Sequence, residues 1–295
     1  MAITGLVRDH AGRLSALKSI TLLLMLWPGV ALAIQYFTAD LGPRPITELI
    51  HGTGLWTIRL LMVTLAVTPA RALLDWSRVV MLRRMIGVGA ACYACAHLIL
   101  FCVDHKWNMI MVVSEIALRF YLTVGFVTLL GLLALAVTST DGWQKRLGQR
   151  WKNLHKIVYV LGFLALFHYA VQSKADVTDA VFLAGLFAWL MFWRLLPRRY
   201  QGKLWPLPEL ALAAGLTAAL LEAGWYTVRN GVNPLRVLSA NLDIDYGPRP
   251  AVSVAAALLA LAVVVAVRRV AKRRLMPRAA GTSAANRSTA ASRLS

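Results

Sequence analysis

Trp151–Gln172 reads WKNLHKIVYVLGFLALFHYAVQ, an apolar run carrying two histidines, His155 and His168, thirteen residues apart. A helix rises about 1.5 Å per residue, so the two imidazoles lie roughly 20 Å apart along the axis. That is a large part of a hydrocarbon core about 30 Å thick. Crossing a bilayer requires neither ring, and ionisable side chains inside a membrane are the first place to look for function. Steps of about 100° leave the two rings some 140° apart around an ideal helix. The spacing therefore predicts two depths rather than one shared face.

The rest of the chain agrees with a membrane setting. Of 295 residues, 59% are hydrophobic and the mean hydropathy is +0.62, whereas soluble domains are about 45–50% apolar. The fold class expected is an all-α integral membrane protein. Eight spans are predicted near 18–37, 51–70, 85–103, 119–138, 155–172, 178–196, 207–227 and 251–267. The first is read as a span rather than a cleaved signal peptide, because no small-x-small cleavage site follows it.

The net charge of +19 comes from 32 Lys and Arg against 13 Asp and Glu. The cations sit in short runs between spans, which sets orientation and argues against nucleic acid as a partner. Arg71–Arg84, Lys145–Lys152, Arg194–Lys203 and Arg268–Arg274 all fall on one side. Multi-pass insertion with both termini cytoplasmic follows from the positive-inside rule. The domain reading is a cytoplasmic segment 1–17, a histidine-bearing core 18–200, an accessory two-helix extension 201–275 and a disordered tail 276–295. Cys92, Cys95 and Cys102 share one span and read as small buried residues rather than a disulfide framework. Trp107, Trp143, Trp151, Trp189 and Trp193 read mostly as an interfacial belt.

His97 lies twelve residues into span three and His168 thirteen into span five, and both spans run outward. A depth-matched pair on parallel helices suits a b-type haem, whose iron takes imidazole on both faces. Zinc would need three or four clustered ligands. His155 has no histidine partner at its own depth: the corresponding positions before His97 are Arg83 and Arg84. That leaves a second haem with one histidine ligand, a role near the first haem, or a flavin. Arg83 and Arg84 are candidate propionate partners, although topology alone also accounts for charges at that edge. Arg59, eight residues into span two, is a candidate for a haem propionate or a flavin phosphate. His51 at the start of the same span stands evenly between ligand and hydrogen-bonded structural residue. His10 and His105 lie in polar segments and read as surface residues. No dinucleotide-binding glycine fingerprint follows a strand, so no NAD(P)H domain is expected.

Residues 38–200 resemble the MsrQ (YedZ) family of haem-binding membrane subunits, within the ferric-reductase-like transmembrane superfamily. The stretches that carry the resemblance are His51-Gly-Thr-Gly54, Val67-Thr-Pro-Ala-Arg71, Leu82-Arg-Arg-Met-Ile-Gly87, Ala96-His97, Thr138-Ser-Thr140 with Leu147-Gly148, Trp151-Lys-Asn-Leu-His155-Lys-Ile-Val-Tyr159 and His168-Tyr169. The resemblance implies a six-helix cytochrome b of the bacterial inner membrane containing haem b and FMN. It would draw electrons from the quinone pool or a cytoplasmic flavin reductase. It would hand them to a periplasmic molybdopterin-containing methionine-sulfoxide reductase (MsrP) that repairs oxidised envelope proteins. His97, His155 and His168 match the family's histidines, with His97 and His168 the pair assigned to haem. The extension departs from the six-span pattern. Two other readings stand beside this one: a self-contained ferric or quinone reductase of the same superfamily, and a transporter whose histidines relay protons.

Overall fold

The computed structural model describes residues 13–174, 176–243, 245 and 247–275. The tail from Met276, expected to be disordered, and His10 lie outside them. Every regular element among the described residues is helical, and eight helical stretches are long and apolar enough to cross a membrane. They are α1 (Ala16–Phe37), α2 (Pro45–Leu74), α3 (Leu82–Asp104), entered through a 3₁₀ turn at Ser77–Met81, α5 (Phe120–Val137), α7 with α8 (Gln149–His155 and Val158–Gln172), α9 (Thr178–Leu195), α10 (Pro206–Asn230) and α12 (Pro250–Leu275). Each covers one of the expected spans. Short helices occupy stretches read as loops: α4 (Met109–Leu118), α6 (Asp141–Leu147) and α11 (Pro234–Ala240). The belt expectation needs correction, since Trp189 and Trp193 are only 4% and 2% exposed. They fill the face of α9 that packs inward rather than marking an interface.

The fifth span is not one continuous helix. Lys156 N–H bonds Asn153 O at 3.2 Å and Ile157 N–H bonds Leu154 O at 3.1 Å. These three-residue ladder bonds form a tighter 3₁₀ winding between α7 and α8. His155 closes α7 above this break, while His168 belongs to α8 below it.

Proline breaks in the core are repaired by specific side chains. Pro69 inside α2 has no N–H for the carbonyl of Leu65 four residues earlier. Arg194 of α9 supplies the missing donor, with Nη2 bonding Leu65 O at 2.5 Å and Nη1 bonding Leu190 O at 2.6 Å. Next to Pro28 in α1, the Tyr93 hydroxyl stands within the helical ladder: it accepts from Gly29 N–H and donates to Met25 O, each at 2.8 Å. In a bilayer such carbonyls have no water to turn to.

The extension packs α10 and α12 against α9 through small residues. A Cβ on Gly185 of α9 would fall 2.7 Å from Val254, and one on Gly215 of α10 would fall 3.0 Å from the Ala251 carbonyl. Close backbone approach of this kind substitutes for the hydrophobic drive that lipid removes. At the basic end, Arg269 of α12 caps α2 by donating twice to Leu73 O, at 3.3 and 3.0 Å. Lys272 pairs with Asp75. Hydrogen bonding to Lys272, and then its charge, holds the Asp75 carboxyl below the ordinary carboxylate range. The pair therefore stabilises the fold above that range and is lost as pH falls through the lowered value. Because Asp75 is exposed, the melting-temperature gap between the native chain and Asp75→Asn is expected to be small at neutral pH and to vanish in acid.

Candidate cofactor site

α3 and α8 bring His97 and His168 together across the bundle, with ring centroids 6.4 Å apart and ring planes at 89°. The two rings are held in the same way. His97 Nδ1 lies 2.8 Å from the carbonyl of Ile50 on α2, and His168 Nδ1 lies 2.7 Å from the carbonyl of Tyr121 on α5. A carbonyl only accepts, so each Nδ1 carries the proton and each Nε2 keeps its lone pair. Among the described residues neither Nε2 has a hydrogen-bond partner.

Each acceptor carbonyl is followed four residues later by glycine, Gly54 after Ile50 and Gly125 after Tyr121. An imidazole reaching a helix carbonyl must lie over the next turn, where a side chain would stand in its way. A Cβ on Gly54 would sit 3.0 Å from the His97 ring, and one on Gly125 would sit 2.7 Å from the His168 ring. Gly125→Ala is therefore expected to push His168 off its carbonyl. Losing an orienting contact of this kind costs about 10–100-fold in metal affinity, and titrating haem into the purified variant measures it.

The pair borders a cavity of about 810 Å³, within the range of about 300–1,000 Å³ usual for cofactor-sized ligands. The fit to haem is direct. With about 2 Å per metal–imidazole bond and roughly 1 Å more to each ring centre, two imidazoles on one metal have centroids about 6 Å apart. The free Nε2 atoms and the Nδ1–carbonyl bonds match the arrangement of metal-ligating histidines. Among the described residues no three His, Cys, Asp or Glu side chains converge as a metal site. The mouth of the cavity is polar, with His51, Arg44, Glu48, Lys174 and Asp176 around it. Arg44 and Lys174 were not singled out in the sequence, because cations at the end of a span read as ordinary boundary charges.

His155 is kept apart. It borders a second cavity of about 480 Å³ near the basic end, together with Arg83, Arg84, Lys152 and Lys156. Its ring stacks on Trp151 at 3.9 Å. Nδ1 lies 3.1 Å from Trp151 O and Nε2 3.3 Å from Ser139 Oγ, so protein groups face both ring nitrogens. Arg84 is ion-paired with Asp141. Arg59 lines neither cavity: it lies on an exposed face of α2 with its guanidinium 5.0 Å over the Trp56 ring. Cys92, Cys95 and Cys102 are free thiols, and Cys92 is exposed on α3 rather than buried.

A family model described as the ferric reductase like transmembrane component matches residues 53–166. The protein-methionine-sulfoxide reductase heme-binding subunit MsrQ of Xanthomonas axonopodis pv. citri (strain 306) is 42% identical over 156 residues, which is 52% of this chain and 72% of that protein. The chain belongs to the MsrQ family. The subunit of the same name from Rhodospirillum rubrum is 37% identical over 201 residues, 66% of this chain and 94% of that protein. No solved structure matches the chain. Within this MsrQ-family chain the stretch 53–166 includes His97 and His155 and ends just before His168. The helices α10 to α12 lie wholly beyond it.

Proposed function

We propose that this chain is a membrane cytochrome b subunit that delivers electrons to a methionine-sulfoxide reductase catalytic subunit on the far side of a bacterial inner membrane. The single observation that carries this reading is the His97–His168 pair, with centroids 6.4 Å apart and both Nδ1 atoms committed to backbone carbonyls. Bound there, haem b supplies a one-electron couple part-way across a bilayer too thick for one transfer. His97 and His168 present their Nε2 lone pairs from opposite helices. Gly54 and Gly125 leave room for the rings, while Arg44, Lys174 and His51 at the mouth suit the carboxylate edge of a macrocycle.

The second cavity suits an anionic planar cofactor such as FMN. Arg83, Lys152 and Lys156 offer positive charge, and Trp151 and Tyr159 offer aromatic walls. His155 and these cations face the cytoplasm when the basic end does, which supports electron entry, from quinol or a flavin reductase, on that side. The molybdopterin-containing partner then meets the mouth at the other end.

A reduced-minus-oxidised visible spectrum of the purified chain, with haem and flavin quantified per protein, tests the reading. One low-spin b-type signal at stoichiometric haem, oxidised on addition of the catalytic subunit and methionine sulfoxide, is the expected result. A chain purified without haem from haem-replete cells overturns it.

A further inference from the structure

The carbonyl that orients His168 belongs to Tyr121, the second residue of α5. Terminal turns of a helix fray, so this one is a poor anchor unless something outside the helix holds it. The other ring is held from deeper in its helix, since Ile50 is the sixth residue of α2.

The corner between α4 and α5 supplies two fastenings. Arg119 joins the helices in an extended conformation, with φ −103° and ψ 104°, and its side chain grips both of them. Toward α4, Nε lies 2.5 Å from Glu115 Oε2 and Nη2 donates to Glu115 Oε1 at 3.0 Å. This is a two-point fork, the geometry that lifts a surface ion pair above its usual small worth. Toward α5, Nη1 donates to the Tyr121 hydroxyl at 3.2 Å. The second fastening runs from Thr123 Oγ1 to the Ile116 carbonyl at 2.6 Å, one of the last carbonyls of α4, where the helix itself runs out of donors.

Both fastenings border the histidine cavity. Ile116 and Leu122 line it, and the Tyr121 ring lies 6.4 Å from the His168 ring at a tilt of 31°. Tyr121 thus meets the histidine through its carbonyl and Arg119 through its hydroxyl.

We propose that Arg119 is a positioning residue for His168: the Glu115–Arg119–Tyr121 clasp ties α4 to the first turn of α5 and keeps the orienting carbonyl, and with it the ring, opposite His97. The proposal rests on the haem reading above. Arg119 is half exposed and does not line the cavity, so it acts through Tyr121. Loosening the clasp frees His168 and opens one axial face of the site.

The test uses the full chain in detergent, comparing the native protein with Arg119→Gln, Tyr121→Phe and Val254→Ala. Tyr121→Phe removes the hydroxyl but keeps the carbonyl and the ring, whereas Val254→Ala loosens packing against Gly185 in the extension. Two quantities are read: the melting temperature, and the fraction of reduced haem that binds carbon monoxide, which requires a vacated axial position. Arg119→Gln and Tyr121→Phe are expected to raise that fraction about three- to tenfold, the scale of one lost hydrogen bond. Val254→Ala should lower the melting temperature and leave the fraction native-like. A native-like fraction in either polar variant, or an equal rise in Val254→Ala, overturns the proposal while leaving the haem reading intact. Should the native chain hold no haem, the haem reading falls, and maleimide labelling of Ile116→Cys decides the clasp alone, in a chain whose Cys92, Cys95 and Cys102 are replaced by alanine. Faster labelling with Arg119→Gln supports it and an unchanged rate overturns it.

Discussion

Alanine at His97 or at His168 is expected to remove the low-spin b-type signal from the purified protein, whereas alanine at His155 is expected to leave that signal in place. The first two rings share one cavity, 6.4 Å apart, with Nε2 atoms that no described protein group engages. His155 lies in another cavity with both ring nitrogens facing protein groups. Disturbing only the orienting partner of a ligating histidine costs about 10–100-fold in affinity, so removing the ligand itself should cost at least about 100-fold. Haem content per chain and the reduced spectrum measure this, and any signal lost in His155→Ala should belong to the second cavity. Equal loss in all three variants would show that the histidines hold the fold together rather than the cofactor. An unchanged spectrum in all three would place the haem elsewhere.

Arg194→Leu is the substitution expected to cost most stability away from the cavities, and Pro69→Ala should recover much of that cost. Arg194 is the donor that satisfies the Leu65 carbonyl, which Pro69 leaves without its helical partner. Removing the guanidinium orphans that carbonyl in a setting without water, a loss of about 1–3 kcal/mol. The guanidinium also sits 5.3 Å over the Tyr159 ring, so packing beside the second cavity loosens as well. An alanine at 69 restores the N–H, and the Leu65 carbonyl can then close its own helical bond. The cost of Arg194→Leu measured in the Pro69→Ala background should therefore be smaller by about 1–2 kcal/mol. Thermal unfolding of the four proteins of this cycle gives the coupling directly. Strict additivity would mean that Arg194 stabilises through its charge and packing, independently of the proline.

Much of the site was legible before any coordinates. The equal depths of His97 and His168 follow from counting residues along two spans that run in the same direction. The separate station of His155 follows from thirteen residues of rise. Neither carbonyl partner was legible, because Ile50 and Tyr121 each lie 47 residues from the histidine they hold and apolar residues at those positions carry no mark of the role. The glycines offered a fainter signal: Gly54 stands in a stretch that drew notice, but Gly125 reads as one more small residue in a lipid-facing helix. Arg59 shows the opposite limit. Its depth pointed to a cofactor, while its direction around α2 sets it over Trp56 on an exposed face.

The sequence by itself determined the number of spans, their approximate ends, their alternating direction and the depth of each histidine. All of these are sums over neighbouring residues, because transfer of a helix into hydrocarbon is decided segment by segment and axial position grows linearly with residue number. Only the tertiary structure decided which way each side chain faces and what it meets. The 3₁₀ winding at Lys156 and Ile157 resets the angle of His155. The Leu65 carbonyl finds Arg194 from 129 residues away, and Glu222 meets Arg249 and Asn241 within a helix pair that hydropathy marked only as additional. Facing depends on the helix's rotation about its axis, which a few degrees per residue can alter, and partners depend on contacts between segments far apart in the chain. Local composition fixes neither of them.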